Sequence, residues 1–369
     1  MDHGNVESRG RTDEAGDGFG VMRIVAAVMV IFAHSFTLAR GAEDPTWHRN
    51  SVIISFGSAA VFIFFVISGY LVVSSWMRDP NPFRFAVRRV ARIWPGLLVM
   101  LVVTTWIVGS AVTTLPLGRY LTDSGTMRYF AGSALLLPVW DLPGVFQTNP
   151  APGVNGSVWS LPIEVTAYAG LLLLGPLLVV HARRRLILAT VTAAAIVAVV
   201  VVTRYALPHA MVVGLTYLLH QHYLVFFIGG GLLYFGRYRV PMRLPLFGLA
   251  MVGLLFAVLA GLMIPVFVFL SYGVIYLSTR RGLVLRQITA LGDPSYGIYI
   301  YAYPIQQLLA HLRLAPNEWV LFAEATVVSV IVGYLSWHVV ERRALEFARR
   351  GLRHAAPSAA GRPAPMAAA

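Results

Sequence analysis

Long apolar runs separated by arginines constrain this chain more than any other feature. Taking about 20 mostly apolar residues as one bilayer crossing, ten stretches qualify: 20–39, 51–76, 93–113, 157–180, 186–205, 211–235, 244–261, 262–280, 294–312 and 319–340. Inside lipid each segment must satisfy its own backbone polar groups. The expected fold class is therefore all-α, a polytopic transmembrane helix bundle of about 10 spans. Gly261 and Pro265 mark either a tight turn between the seventh and eighth spans or a break in one long helix. With 57% hydrophobic and only 12% charged residues, a pair of soluble domains is a poor reading of the 369 residues.

The chain contains no lysine, so its 29 basic residues are all arginine and the net charge of +13 is guanidinium charge. In a soluble protein that balance would raise nucleic acid as a partner. Here the arginines follow the spans instead, and no nucleic acid is expected. With the N-terminus inside, 22 of them fall in inner segments, including Arg78 to Arg92, Arg183 to Arg185 and Arg342 to Arg353. Six fall in outer segments, and Arg23 lies within the first span. The positive-inside rule then sets both termini in the cytoplasm, and the expected location is a bacterial-type inner (plasma) membrane.

Residues 1–19 form a polar cytoplasmic N-terminus without a cleavable signal pattern. Residues 20–345 form the transmembrane domain, and 346–369 form a tail expected to be disordered. The outer segment of about 114–156 is too long for a connector. Its apolar stretch Tyr129 to Trp140 is too short to span, so it reads as re-entrant or interfacial, followed by a turn-rich backbone. The absence of cysteine excludes disulfides, thiolate zinc sites and a cysteine nucleophile. Scattered histidines without an acidic cluster give no reason to expect a metal.

An ionisable group at membrane depth is a functional candidate by default. Arg23 and His34 are eleven residues apart, so they share one helix face about 16 Å apart along the axis. His34 fits a general base and equally a hydrogen bond to a neighbouring helix. Arg23 also fits an arginine snorkelling to the inner headgroups. Glu164, in SVWSLPIEVTAY, is expected at the depth of His34, where a carboxylate would orient the imidazole as a base. The alternative is a carboxylate bonded to backbone freed by Pro162. His220 and His222 read as acceptor-side groups or polar packing, and Glu324 as a residue near the outer end of the last span.

Six motifs, in order, resemble acyltransferase family 3, membrane proteins that acylate sugars and related cell-surface hydroxyls. They are Arg23 and His34 with ten residues between them, FFVISGYLV (64–72), RRVARIWP (88–95), NGSVWSLPIEVTAY (155–168), SYGIYIYAYPIQ (295–306) and VVERR (339–343). The resemblance implies an O-acyltransferase with acetyl-CoA or another acyl-CoA as donor substrate, no permanently bound cofactor, and a saccharide or glycoconjugate acceptor. It implies that Arg89 and Arg92, with Arg88, hold the donor phosphates and that Arg23 guides the donor inward. His34 would then act as general base or carry a transient acyl group, with Glu164 orienting it. Ser68 and Tyr70 would offer hydroxyls near the thioester, and Asn155, Trp159 and Tyr168 would shape the acceptor mouth.

Each role has a plainer counterpart. Positive-inside charge accounts for the inner arginines, close helix packing for Ser68-Gly69, a turn for Asn155 and an interfacial anchor for Trp159. One departure from the family pattern is Ala302, where many members carry histidine. The rival class is a secondary transporter or flippase of a glycolipid or sugar, which commonly shows internal repeats and matched broken helices; this sequence shows neither.

Overall fold

A computed structural model describes residues 18–42, 55–137, 139–179 and 223–354. The expected span 186–205, residues 211–222 of the expected span 211–235 with His220 and His222, and the tail beyond 354 lie outside the described residues. Every regular element among the described residues is helical. In chain order they are α1 (Gly18–Arg40), α2 (Phe56–Arg78), α3 (Pro82–Val112), α4 (Leu117–Thr122), α5 (Ser124–Ala134), α6 (Ser160–Leu178) and α7 (Tyr223–Gly236). Then come α8 (Leu244–Leu259), α9 (Met263–Ser278), α10 (Leu283–Ala290), α11 (Ser295–His311) and α12 (Glu318–Arg353). Five helices are long and apolar enough to cross a membrane: α1, α2, α3, α6 with its leading turn, and α12. A sixth candidate is α9 with α10, which meet at an 85° bend. The chain is a helical membrane protein.

Side-chain caps start several of these helices where the sequence supplies them. Ser55 accepts from Ser58 N ahead of α2, and Asn317 accepts from Trp319 N and Val320 N ahead of α12, both at 3.0 Å. Asn81 accepts from Arg84 N, and Pro82 occupies the first turn of α3. That start corrects the expected span boundary of 93. Charge ends a hydropathy run, but it does not end backbone hydrogen bonding. The arginines at 84, 88, 89 and 92 therefore sit on the first turns of a helix and not in a loop. Between α8 and α9 the chain turns at Gly261, whose φ of 70° suits glycine, so the tight-turn alternative holds there.

The innermost helix is α11, with twelve of its seventeen residues buried. It lies between α1 and α12, where Ala302 packs against Ala27, Ile31 and Ala325. Ala302 therefore occupies an apolar cluster. Gln306, next to that cluster, donates to Ile31 O at 2.8 Å and Ser35 Oγ at 2.7 Å, tying α11 to the turn of α1 that carries His34.

The segment 114–156 packs back against the bundle. α5 runs back along α3, with Phe130 on Trp106 and Trp94 donating to Ala134 O at 3.1 Å. The irregular stretch that follows is fastened to α11. Asn149 donates to Gln307 Oε1 at 2.6 Å, and Gln307 donates to Ala151 O at 2.8 Å. Across α3, the turn Val103–Val108 is widened to a π-helix, and Tyr120 donates to the Thr105 carbonyl inside it at 2.6 Å.

Helices α2 and α7 cross with no side chain between them: a Cβ on Gly69 or Gly230 would overlap the carbonyl of Phe227 or Val66. Gly69→Val should therefore separate the two helices and destabilise the protein by about 2 kcal/mol or more. Gly170→Ala in α6, where no described residue lies within 4 Å, should be neutral or slightly stabilising. Thermal unfolding in detergent, followed by intrinsic fluorescence, compares the two.

Candidate functional site

At the arginine-rich end of the bundle one carboxylate joins three elements. Asp293, in the turn before α11, lies 3.1 Å from Arg23 of α1 and 2.8 Å from Arg92 of α3. Arg92 also lies 3.4 Å from Glu341 of α12. Glu341 is only 1% exposed, and it accepts from Ser336 Oγ at 2.9 Å. A second widened turn, Trp337–Glu341, aims that carboxylate inward, and Gly96 and Gly297 leave the space it fills. Burial alone would raise the Asp293 carboxyl, but Arg23, Arg92 and Ser295 together hold it down at about 2.

Beside this cluster lies a cavity of about 500 Å³. Six arginines line it, at 23, 78, 88, 89, 92 and 349, against two carboxylates, Asp293 and Glu164. A space walled this way selects for an anion. The arginines are not equivalent. Arg23 and Arg92 are held by Asp293, and Arg88 by Asp79 at 2.7 Å, which also takes Arg84 at 2.9 Å. Arg89 lies over the Tyr168 ring, 5.6 Å from its centre, and over Phe85 at 5.7 Å. Among the described residues Arg78, Arg89 and Arg349 make no ion pair.

Deeper in the cavity, Glu164 accepts hydrogen bonds from Ser68 Oγ at 3.2 Å and from the Tyr168 hydroxyl. Tyr168 stands one helical turn beyond Glu164 on α6, so helix periodicity delivers the hydroxyl to the carboxylate. The expected orientation of His34 by Glu164 is not what the described bonds of Glu164 provide. The depth comparison that suggested the pair assumed a surface start for this span. Residues 155, 157 and 158, just ahead of α6, are buried against the neighbouring elements.

His34 lies outside the cavity lining, with its ring edge-on to Tyr303 at 5.0 Å between centroids. On α11 the cavity is lined by Ser295, Tyr296 and Tyr299, and Tyr303 follows one turn later. The imidazole therefore stands about 6 Å along the helix axis beyond the cavity's inner end. At that end Ser160 and Tyr299 share a 2.7 Å hydrogen bond, and Tyr299 donates to Ser157 O.

The other expected site residues divide. Ser68 and Tyr168 line the cavity, which places Tyr168 on the arginine side and not at an outer mouth. Tyr70 packs against Phe19 and Tyr234, outside the lining. Asn155 caps a 3₁₀ turn through Ser157 N and donates to Ile300 O at 2.9 Å, so its amide fastens the outer segment to α11. Trp159 rests edge-on against Tyr223. Sequence reasoning missed Asp293, Asp79 and the role of Glu341. Glu341 stood within the VVERR motif, and Asp293 stands two residues before SYGIYIYAYPIQ, so both carried a local signal.

Comparison with known proteins adds to this geometry. A family described as an acyltransferase domain, acyltransferase family 3, matches residues 17–338. An O-acetyl transferase of Shigella phage Sf6 is 27% identical over 344 residues, 89% of this chain and 95% of that protein. Nodulation protein 10 of Rhizobium leguminosarum bv. viciae is 29% identical over 171 residues, 43% of this chain and 44% of its own. No solved structure matches.

Asp293→Asn should leave two guanidiniums facing each other and cost about 2–3 kcal/mol of stability. The carboxylate's contribution is complete above its ordinary value of 3.8 and fades as pH falls toward about 2. Thermal unfolding of the parent protein should therefore weaken across that acid window. The variant should lose part of that dependence; an identical pH profile in both would remove Asp293 from the account.

Proposed function

The chain belongs to acyltransferase family 3, and on that premise we propose a membrane O-acyltransferase that moves an acyl group, acetyl in the simplest case, from coenzyme A to a saccharide hydroxyl. The donor enters from the cytoplasm at the arginine-rich end, and the acceptor is a saccharide or glycoconjugate reached from the opposite side. The observation that carries this reading is the cavity with six arginines and two carboxylates, whose inner end lies next to the turn holding His34 and Tyr303. Phosphates cannot enter a bilayer unaided, whereas a thin pantetheine arm can thread between helices. Guanidiniums at the wide end suit the phosphates, by charge-assisted and partly bidentate hydrogen bonds.

In this reading Arg89 contacts the donor directly, since Asp79 and Asp293 already hold Arg88, Arg23 and Arg92. Those three shape the cavity and supply its positive field. Ser68, Glu164 and Tyr168 form a polar girdle around the pantetheine arm. The thioester carbonyl then lies near Ser160 and Tyr299, short of His34.

His34 takes the proton of the attacking hydroxyl as its oxygen bonds to the acyl carbon. The resulting oxyanion collapses, the carbon–sulfur bond breaks, and the proton passes to the departing thiolate of coenzyme A. Tyr303 holds the imidazole plane through its edge-on contact. The Sf6 relative's name, O-acetyl transferase, supports acetyl as the group transferred.

His34→Ala should lower acetyl transfer by at least 10³-fold, within the range that general-base catalysis contributes, while keeping membrane expression. The assay is transfer of radiolabelled acetyl from acetyl-CoA to lipid-linked or polymeric saccharide in membranes. Turnover within tenfold of the parent would remove the base assignment. Arg89→Ala should raise the KM for acetyl-CoA with little change in kcat, and an unchanged KM would remove Arg89 from the donor site.

A further inference from the structure

Two cavity-lining arginines stand outside the motifs that suggested a donor site. Arg78 ends α2, and Arg349 lies near the end of α12, in the stretch past the widened turn at Glu341. From Glu341 to Arg349 the helix rises about 12 Å, and Leu345, Ala348 and Arg349 line the cavity in succession. Their spacing of three and four residues places them on one face. Arg342 is held by Glu346 on the exposed side of the same helix, at 2.9 Å.

Positive-inside charge explains why arginines are abundant here, but it does not explain why two from distant elements line the same wall as Arg89. Among the described residues none of Arg78, Arg89 and Arg349 has a carboxylate partner, although Asp79, Asp293 and Glu341 serve the neighbouring arginines. Three guanidiniums around one space repel each other until an anion enters. An anion with several phosphate oxygens relieves that repulsion, and it can be gripped by planar donor forks from three directions.

We propose that Arg78, Arg89 and Arg349 form a phosphate cradle for the nucleotide end of the donor, and that the C-terminal part of α12 is thereby a wall of the substrate site. The inference rests on the coenzyme A reading above and extends it to two residues and to a helix outside the recognised motifs. Lipid headgroups carry the same phosphate chemistry; the nucleotide is the occupant proposed, because Arg78 and Arg349, though exposed at the rim, line the same cavity as the half-buried Arg89.

The test compares acetyl-CoA with acetyl-pantetheine, which carries the same thioester without phosphates. The purified protein is placed in nanodiscs of neutral lipid and again in discs containing anionic lipid. In the parent, kcat/KM should favour acetyl-CoA strongly. In Arg78→Ala/Arg349→Ala that preference should fall at least tenfold in both lipids, through KM. Arg349→Lys should recover part of it, and Arg350→Ala should keep it. A double variant that retains the parent's preference overturns the cradle, as does a loss seen only with anionic lipid, which would assign the two arginines to headgroups. A parent protein that accepts neither thioester would instead sink the coenzyme A reading itself. If the double variant fails to fold, the single variants Arg78→Gln and Arg349→Gln carry the same comparison.

Discussion

Asp293 is the point at which the charged end of this bundle becomes possible. Arg23 and Arg92 approach from α1 and α3 and would repel each other across a partly dry space. A carboxylate between them turns that repulsion into a three-way tie, with Glu341 adding a fourth member from α12. Such a cluster adds little net stability over a well-packed apolar alternative, yet losing one member leaves a charge stranded. Its value is positional. α11 begins two residues after Asp293, so the tie fixes the start of the helix that carries Tyr296, Tyr299 and Tyr303.

The two π-widened turns belong to the same logic. A widened turn shifts every later side chain around the helix axis and disturbs the backbone hydrogen bonds at that point. In α12 the shift brings Glu341 inward to Arg92. In α3 the carbonyl of Thr105 is met by the Tyr120 hydroxyl from the outer segment. Each irregularity is matched by a particular side chain, so the distortions are built into the packing.

Much of this architecture was legible in the sequence. Apolar run length located the helices, Gly261 located a turn, and the proline- and glycine-rich outer segment announced an irregular return into the bundle. The motif residues Arg23, Arg89, Arg92, Ser68 and Glu164 do come together around one cavity. What could not be read was pairing. The five arginines from 78 to 92 look alike in sequence, and only the placement of Asp79, Asp293 and Glu341 distinguishes the occupied from the available ones. The bonds of Glu164 to Ser68 and Tyr168 belong to the same class of unread pairing, since residue counting along a span does not name partners. Tyr70, a hydroxyl in the right motif, packs between rings because its helix face points toward Phe19 and Tyr234 and away from the cavity.

Adjacent residues of α11 hold two different things. Gln306 grips the backbone of α1 one turn from His34, and Gln307 grips the returning outer segment through Asn149 and Ala151. A single peptide link thus joins the segment around Asn149 and Ala151 to the turn of α1 that carries His34. A displacement of that segment would therefore reach the His34 turn of α1 through neighbouring residues of one rigid helix.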